Sequence, residues 1–264
     1  MSDDIHWIDT RAGRLFAQRW AGAAPAAAAD TAPIVLLHDS LGSVALWREF
    51  PAALSRATGR DVIAYDRLGF GRSEPAAAPL PHDFIHAEAR DALPALQQAF
   101  GFTRFVVLGH SIGGAMAAAC AAAHPAQCEA LVTLSAQAFA EDRTLDGIRA
   151  ARDAFAAPEQ FARLARHHGE RARWVLDAWV DTWLDPAFAA WTLDATLARI
   201  VCPVLALHGD ADEYGSPRHP ARIVEGAAGP ARLVLLPGCG HVPHREAKAE
   251  VLAAISALLG TAPR

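Results

Sequence analysis

Six short apolar runs recur along the chain, and they restrict its fold more than any other feature. They are IVLL (34–37), VIAY (62–65), FVVL (105–108), LVTL (131–134), VLAL (204–207) and RLVL (232–235), each bounded by Gly, Pro, Asp or His. A strand that is apolar on consecutive positions has no face for water, so it must be covered on both sides. That is the condition of a parallel sheet between two layers of helices. The intervening stretches, such as 83–100 and the alanine-rich 112–124, carry helical spacing. Alternating strands and helices predict an α/β fold with a mostly parallel central sheet flanked by helices. The opening segment 5–21 alternates instead around Ala12-Gly13, which predicts an antiparallel hairpin at the sheet edge.

Two places break the rhythm. The stretch AGAAPAAAADTAP (21–33) reads as a flexible surface loop. From about 137 to 198 the strand pattern stops, and four helical patterns follow near 141–156, 158–168, 170–183 and 186–197, punctuated by Pro158, Gly169 and Pro186. Trp174, Trp179, Trp183 and Trp191 fall there. The predicted organisation is a core of 1–136 and 199–264 with a helical cap, 137–198, inserted between two core strands.

The run FVVL leads directly into Gly109-His110-Ser111-Ile112-Gly113-Gly114 and then a string of alanines. A strand that turns sharply into a helix exposes its turn residue above the sheet, with helix N–H groups directed at it. Glycines at 109 and 113 remove side chains that would clash in so tight a turn. Gly-x-Ser-x-Gly in this setting holds a serine nucleophile where the next backbone N–H, that of Ile112, meets an oxyanion. A serine hydroxyl also needs a base, and the base needs an orienting group. His241 follows Gly238-Cys239-Gly240 after the last apolar run, in a loop before a terminal helix. His244 is the competing imidazole, although Pro243 before it suits a helix start. The acid is expected after the run at 204–207, where Asp210, Asp212 and Glu213 are available. Asp210 suits strand termination. Asp212, three positions beyond Gly209, leaves room for its loop to carry a carboxylate beneath the histidine, in the chain order Ser, Asp, His.

The loop after the first central strand, LLHDSLGSVALW, is the expected source of a second oxyanion donor. The Ser40 N–H is the natural choice, with Leu41 as the alternative and His38 as a structural brace. In YDRLGFGRS (65–73), Asp66, Arg67 and Arg72 are expected to form a loop-fixing ion pair.

Bulk properties narrow the function. A net charge of −5, with Lys248 the only lysine, gives no footprint for nucleic acid. No segment reaches the about 18 uninterrupted apolar residues of a membrane span. Cys120, Cys128, Cys202 and Cys239 form no C-x-x-C pair and read as free thiols of a reducing compartment. The acidic start MSDDIHWIDT lacks the features of a secretory signal. A cytoplasmic location is therefore expected, with no membrane partner; oligomeric state is not legible.

Five motifs together resemble the α/β-hydrolase fold family, in its cap-bearing, carboxylesterase-like branch. They are His38-Asp39-Ser40-Leu41-Gly42, Asp66-Arg67-Leu68-Gly69-Phe70-Gly71-Arg72-Ser73, the elbow at 109–114, Gly209-Asp210-Ala211-Asp212 and Gly240-His241-Val242-Pro243. They occur in the family's order and cover nearly the whole chain. The resemblance implies a serine hydrolase acting on carboxylic esters or related acyl compounds through a catalytic triad of Ser111, His241 and Asp212. It implies an oxyanion hole from the N–H groups of Ser40 and Ile112, and no metal or organic cofactor. Leu41, Trp179, Trp183 and Val242 are the candidate pocket residues for a small-molecule acyl substrate. The same triad also supports C–C bond hydrolysis, lactone opening, acyl transfer and perhydrolysis. A ligand-binding or signalling protein on the same scaffold is the alternative from another class. One departure stands out: Asp39 replaces the glycine that usually follows the loop's histidine. A carboxylate aimed at the hole would oppose the developing charge, so Asp39 is expected to turn away and hydrogen-bond the loop backbone.

Overall fold

The computed structural model describes residues 4–22, 31–76 and 79–261; most of the loop expected over 21–33 lies outside them. Eight strands form one sheet: β1 (Asp4–Thr10), β2 (Gly13–Trp20), β3 (Ile34–Leu37), β4 (Val62–Tyr65), β5 (Phe105–His110), β6 (Cys128–Leu134), β7 (Val204–Gly209) and β8 (Ala231–Leu236). Their order is β1-β2-β4-β3-β5-β6-β7-β8. The predicted hairpin is β1–β2, antiparallel and at the edge, and β2 also pairs antiparallel with β4. Every remaining pairing is parallel. All six apolar runs are therefore strands of this sheet.

The consecutive apolar positions have the predicted cause. Ile34 and Leu36 of β3 enter one buried cluster while Val35 and Leu37 enter the other, and Val106/Leu108 and Phe105/Val107 of β5 divide the same way. The helices are α1 (Phe50–Thr58), α2 (Phe84–Ala87), α3 (Leu93–Phe100), α4 (Ile112–Ala123), α5 (Asp142–Ala154), α6 (Pro158–His168), α7 (Ala172–Leu184), α8 (Asp194–Leu197), α9 (Arg218–Gly226), α10 (Pro243–Glu246) and α11 (Lys248–Leu258). Phe50, Leu54, Val251 and Ile255 of α1 and α11 cover one face; α2 to α4 and Ile223 of α9 cover the other. Helix α4 is buried on every side from Ile112 to Ala122, which its small residues allow.

Two helical expectations need correction. The pattern over 83–100 is divided, because a π-helical turn at Glu88–Ala92 separates α2 from α3; Pro94 has no N–H to continue the α-helical ladder. The pattern at 186–197 is not one helix. A tight 3-10 turn at Pro186–Phe188 leads to an extended Thr192 bridged to Phe139, and α8 follows. The Trp191 carbonyl accepts from Ala140 N at 3.1 Å and the Leu193 N–H donates to Ala138 O at 2.8 Å. Those groups are thereby withdrawn from a helical ladder. Between β6 and β7 the described residues hold helices α5 to α8 and no strand. No described helix is long and apolar enough to cross a membrane.

Candidate active site

The parallel strands share a direction, so their C-terminal ends deliver their loops to one edge of the sheet, where α/β sheets bind ligands. Ser111 follows β5, Gln137 follows β6, Asp212 follows β7, His241 follows β8 and the 38–43 loop follows β3. At the turn from β5 into α4, Ser111 has φ 56° and ψ −129°, one of three non-glycine residues with positive φ among those described. A bulky neighbour would not survive there: a Cβ on Gly109 would overlap the Gly113 carbonyl, and one on Gly113 would overlap the Leu37 carbonyl. The surrounding packing thus holds a serine in a conformation that costs of order 1–3 kcal/mol.

Three side chains far apart in sequence converge on that turn. His241 Nε2 is 3.0 Å from Ser111 Oγ, and His241 Nδ1 is 2.9 Å from both carboxylate oxygens of Asp212. The imidazole therefore donates Nδ1–H to the carboxylate and turns its free lone pair to the hydroxyl. Asp212 Oδ1 also accepts the N–H groups of Tyr214 at 2.8 Å and Gly215 at 3.0 Å. Burial works to raise the Asp212 pKa, but the hydrogen bond and charge of His241, with the backbone donors, outweigh it and hold the carboxyl at about 2. The loop bearing His241 is pinned on both sides. Glu246 accepts from Gly240 N at 2.7 Å and Val242 N at 3.0 Å, and His110 Nε2 donates to the His241 carbonyl at 2.8 Å. Asp210 accepts from Gly238 N at 2.7 Å, tying the β7 loop to the β8 loop. His244 is elsewhere: it is buried against Trp47 and Phe50, with ring centroids at 4.7 and 5.4 Å.

A cavity of about 110 Å³ opens beside the hydroxyl, walled by Leu41, Ile148, Trp179, Trp183 and Tyr214 and by polar Asp39, Ser40, Gln137 and Thr144. Of the candidate pocket residues, Leu41, Trp179 and Trp183 line this cavity. Val242 does not: it lines a separate space with Trp47, His110 and His244. The reason is local, since its carbonyl accepts from Arg245 and Glu246 as the first turn of α10, which aims the side chain away from Ser111. Ser40 walls the cavity with Ser111, and Ile112 begins α4 and faces an adjoining crevice that Ser40 also lines.

The loops behind the site are braced by imidazoles and by backbone donors. His38 accepts from Arg67 N at 3.1 Å through Nε2, so its Nδ1–H donates to the Asp39 carbonyl at 2.8 Å. His168 of α6 does the same between Gly71 N and the Leu41 carbonyl, both at 2.9 Å. The expected ion pair of Asp66 is not formed. Its carboxylate instead accepts the N–H groups of Val44 at 2.6 Å and Arg72 at 2.8 Å, while the Arg67 and Arg72 guanidinium groups lie over Phe70 and Phe16. Backbone donors fix this loop without the entropy loss of ordering a second long side chain. Two neighbours of the serine escape the sequence reading. Gln137 Oε1 is 3.2 Å from Ser111 Oγ, and the Tyr214 ring lies 4.9 Å from that of His241. The position of Gln137 at the end of the strand beside β5 was the available signal. The four cysteines are free and buried. Among the described residues no group of three or more His, Cys, Asp or Glu is placed to hold a metal ion.

Known proteins resemble this chain. Human serine hydrolase BPHL is 30% identical over 198 residues, covering 69% of this chain and 64% of that protein. Human 1-acylglycerol-3-phosphate O-acyltransferase ABHD5 is 31% identical over 109 residues, 41% of this chain, and the match spans 31% of the relative's length. A bacterial membrane phospholipase A, a virulence factor, is 22% identical, with 98% of this chain and 86% of that one aligned at a TM-score of 0.79; at that identity it speaks for the fold. The profile of the alpha/beta hydrolase fold matches residues 32–189, more than half of the sequence. With that match laid over a sheet and a strand–turn–helix of the same kind, the chain belongs to the α/β-hydrolase fold family.

Proposed function

We propose that this protein is a serine hydrolase that cleaves carboxylic esters or related acyl compounds through an acyl-enzyme. The observation that carries the reading is the relay from Ser111 Oγ to His241 Nε2 at 3.0 Å and from His241 Nδ1 to Asp212 at 2.9 Å. Ser111 attacks the carbonyl while His241 takes its proton and then returns it to the leaving group. Asp212 fixes the imidazole tautomer and stabilises the imidazolium. The N–H groups of Ser40 and Ile112 are the oxyanion donors in this reading, supported by the position of both residues beside the serine. Water then attacks the acyl-enzyme, activated by the same imidazole.

Residues 137–198 act as a cap over a core of 1–136 and 199–264. Trp179 and Trp183 of α7, on the cavity wall, support this. The cavity is small against the about 300–1,000 Å³ of drug-sized pockets, which favours a short acyl group. The test is a fluorophosphonate probe, which traps an activated serine. Wild-type protein is expected to label and to hydrolyse p-nitrophenyl butyrate, and Ser111→Ala to do neither. Equal labelling of both proteins, or none of the wild type, overturns the reading.

A further inference from the structure

The wall of the cavity beside Ser111 carries one carboxylate, Asp39, and no arginine or lysine among the described residues. Its side chain is 34% exposed and its Oδ1 lies against Gly42. The groups that could neutralise it are otherwise engaged. His110 Nδ1 lies 3.7 Å from Asp39 Oδ2, but His110 donates its Nε2–H to the His241 carbonyl. A neutral imidazole used in this way presents a lone pair to the carboxylate, not a proton. Burial pulls the His110 pKa below its ordinary value, which opposes the doubly protonated form. The Arg67 guanidinium donates to the Asp39 carbonyl at 2.9 Å and stacks on Phe70 at 4.0 Å. The expected hydrogen bond from the loop backbone to this carboxylate does not form; backbone and side-chain donors go to the Asp39 carbonyl instead.

The remaining walls are aromatic. Trp179, Trp183 and Tyr214 line the cavity, and the Trp179 and Tyr214 ring centroids are 6.2 Å apart. A partly exposed carboxylate whose oxygens accept no hydrogen bond among the described residues, set among aromatic rings on one cavity wall, is the chemistry that holds an organic ammonium group. It also repels an anionic substrate near the carbonyl. We infer that the preferred substrates are short acyl compounds carrying a compact cationic amine, with Asp39 as the residue that selects them; this rests on the serine-hydrolase reading above.

The test compares the butyryl, β-alanyl and hemisuccinyl esters of p-nitrophenol, which differ chiefly in the charge at the end of the acyl chain. In the wild type, kcat/KM for the β-alanyl ester is expected to exceed that for the butyryl ester by about tenfold, with the hemisuccinyl ester lowest. Asp39→Asn should shrink the β-alanyl to butyryl ratio by about fivefold or more. Reading the ratio within each protein cancels any general loss of activity, and comparing the ratios of the two proteins cancels the intrinsic reactivity of the ammonium ester. A second measurement avoids the variant altogether: the wild-type ratio should fall as ionic strength rises from about 0.01 M to 1 M. Butyryl turnover with normal Ser111 labelling but a ratio indifferent to both Asp39→Asn and salt overturns this inference alone. Absence of both turnover and labelling overturns it together with the reading it rests on.

Discussion

Two buried imidazole–carboxylate pairs lie on either side of the β7 loop, and they are built for different work. In His241–Asp212, Nδ1–H meets the carboxylate and Nε2 faces a hydroxyl at a cavity wall. In His219–Glu141, Nδ1 accepts the Ala138 N–H at 3.1 Å, which leaves Nε2–H to donate to Glu141 Oε1 at 2.9 Å. Glu141 also accepts from the Ser216 N–H at 2.7 Å and the Ser216 hydroxyl at 2.9 Å. The second imidazole has no nitrogen left for a substrate. Its pair joins the start of α5 to the segment that follows Asp212, so it holds the helices above the sheet to the loop that carries Asp212. A histidine beside a carboxylate is therefore not a catalytic signature. What the far nitrogen faces decides the role.

The sharpest way to break the comparison is to damage each carboxylate conservatively. Asp212→Asn keeps an oxygen for the Tyr214 and Gly215 donors but no longer enforces the His241 tautomer, and kcat for p-nitrophenyl butyrate should fall by about 10⁴-fold. Glu141→Gln should change kcat per folded molecule by less than about tenfold. Steady-state kinetics corrected for the labelled serine fraction read both. Comparable losses in the two variants would erase the distinction.

The second pair should show its effect in stability. Glu141→Ala leaves the buried His219 Nε2–H without an acceptor and frees Ser216, and unpaired buried donors are costly. The expected loss is about 3 kcal/mol, read as a lower urea midpoint at unchanged slope. A midpoint within experimental error of the wild type would mean that the pair is not a fastening.

The unequal legibility of the two pairs follows from how each is encoded. Ser111 is readable because backbone geometry forces glycines at 109 and 113, and geometry of that kind leaves a short, ordered trace in sequence. Asp212 and His241 are readable because strands leave their loops at one sheet edge in chain order. Glu141, His219, Gln137 and Tyr214 carry no such spacing; they meet through tertiary packing among α5, α9 and the loops after β6 and β7. The same cause explains the failures. Residues 186–197 have helical spacing, but Trp191 and Leu193 bond across to Ala140 and Ala138. Asp66 stands beside arginines in sequence, yet backbone donors from Val44 and Arg72 reach it first. Val242 neighbours His241 but turns away because α10 begins there.

The smallest expected effect per residue is also the most widely distributed. His38, His110, His168, His208, His219 and His244 are all buried, and burial holds the pKa of each below the ordinary 6.5. Below pH 6.5 the unfolded chain binds protons at these six positions that the folded chain refuses. Stability must therefore fall as pH drops, by up to about 1.4 kcal/mol per pH unit for each histidine fully protonated only when unfolded. Asp212 acts later and through the opposite group. Its folded value of about 2 lies below the ordinary 3.8, so its contribution is complete above 3.8 and disappears as pH falls towards 2. Urea midpoints measured from pH 7 to pH 5 should decline steadily, before any carboxylate of this kind is involved. His219→Gln can keep a donor for Glu141 while removing one titrating ring, so it should lower overall stability slightly yet flatten that decline by one histidine's share. A midpoint constant from pH 7 to pH 5 would show that these rings take up protons as readily in the folded protein as in the unfolded one.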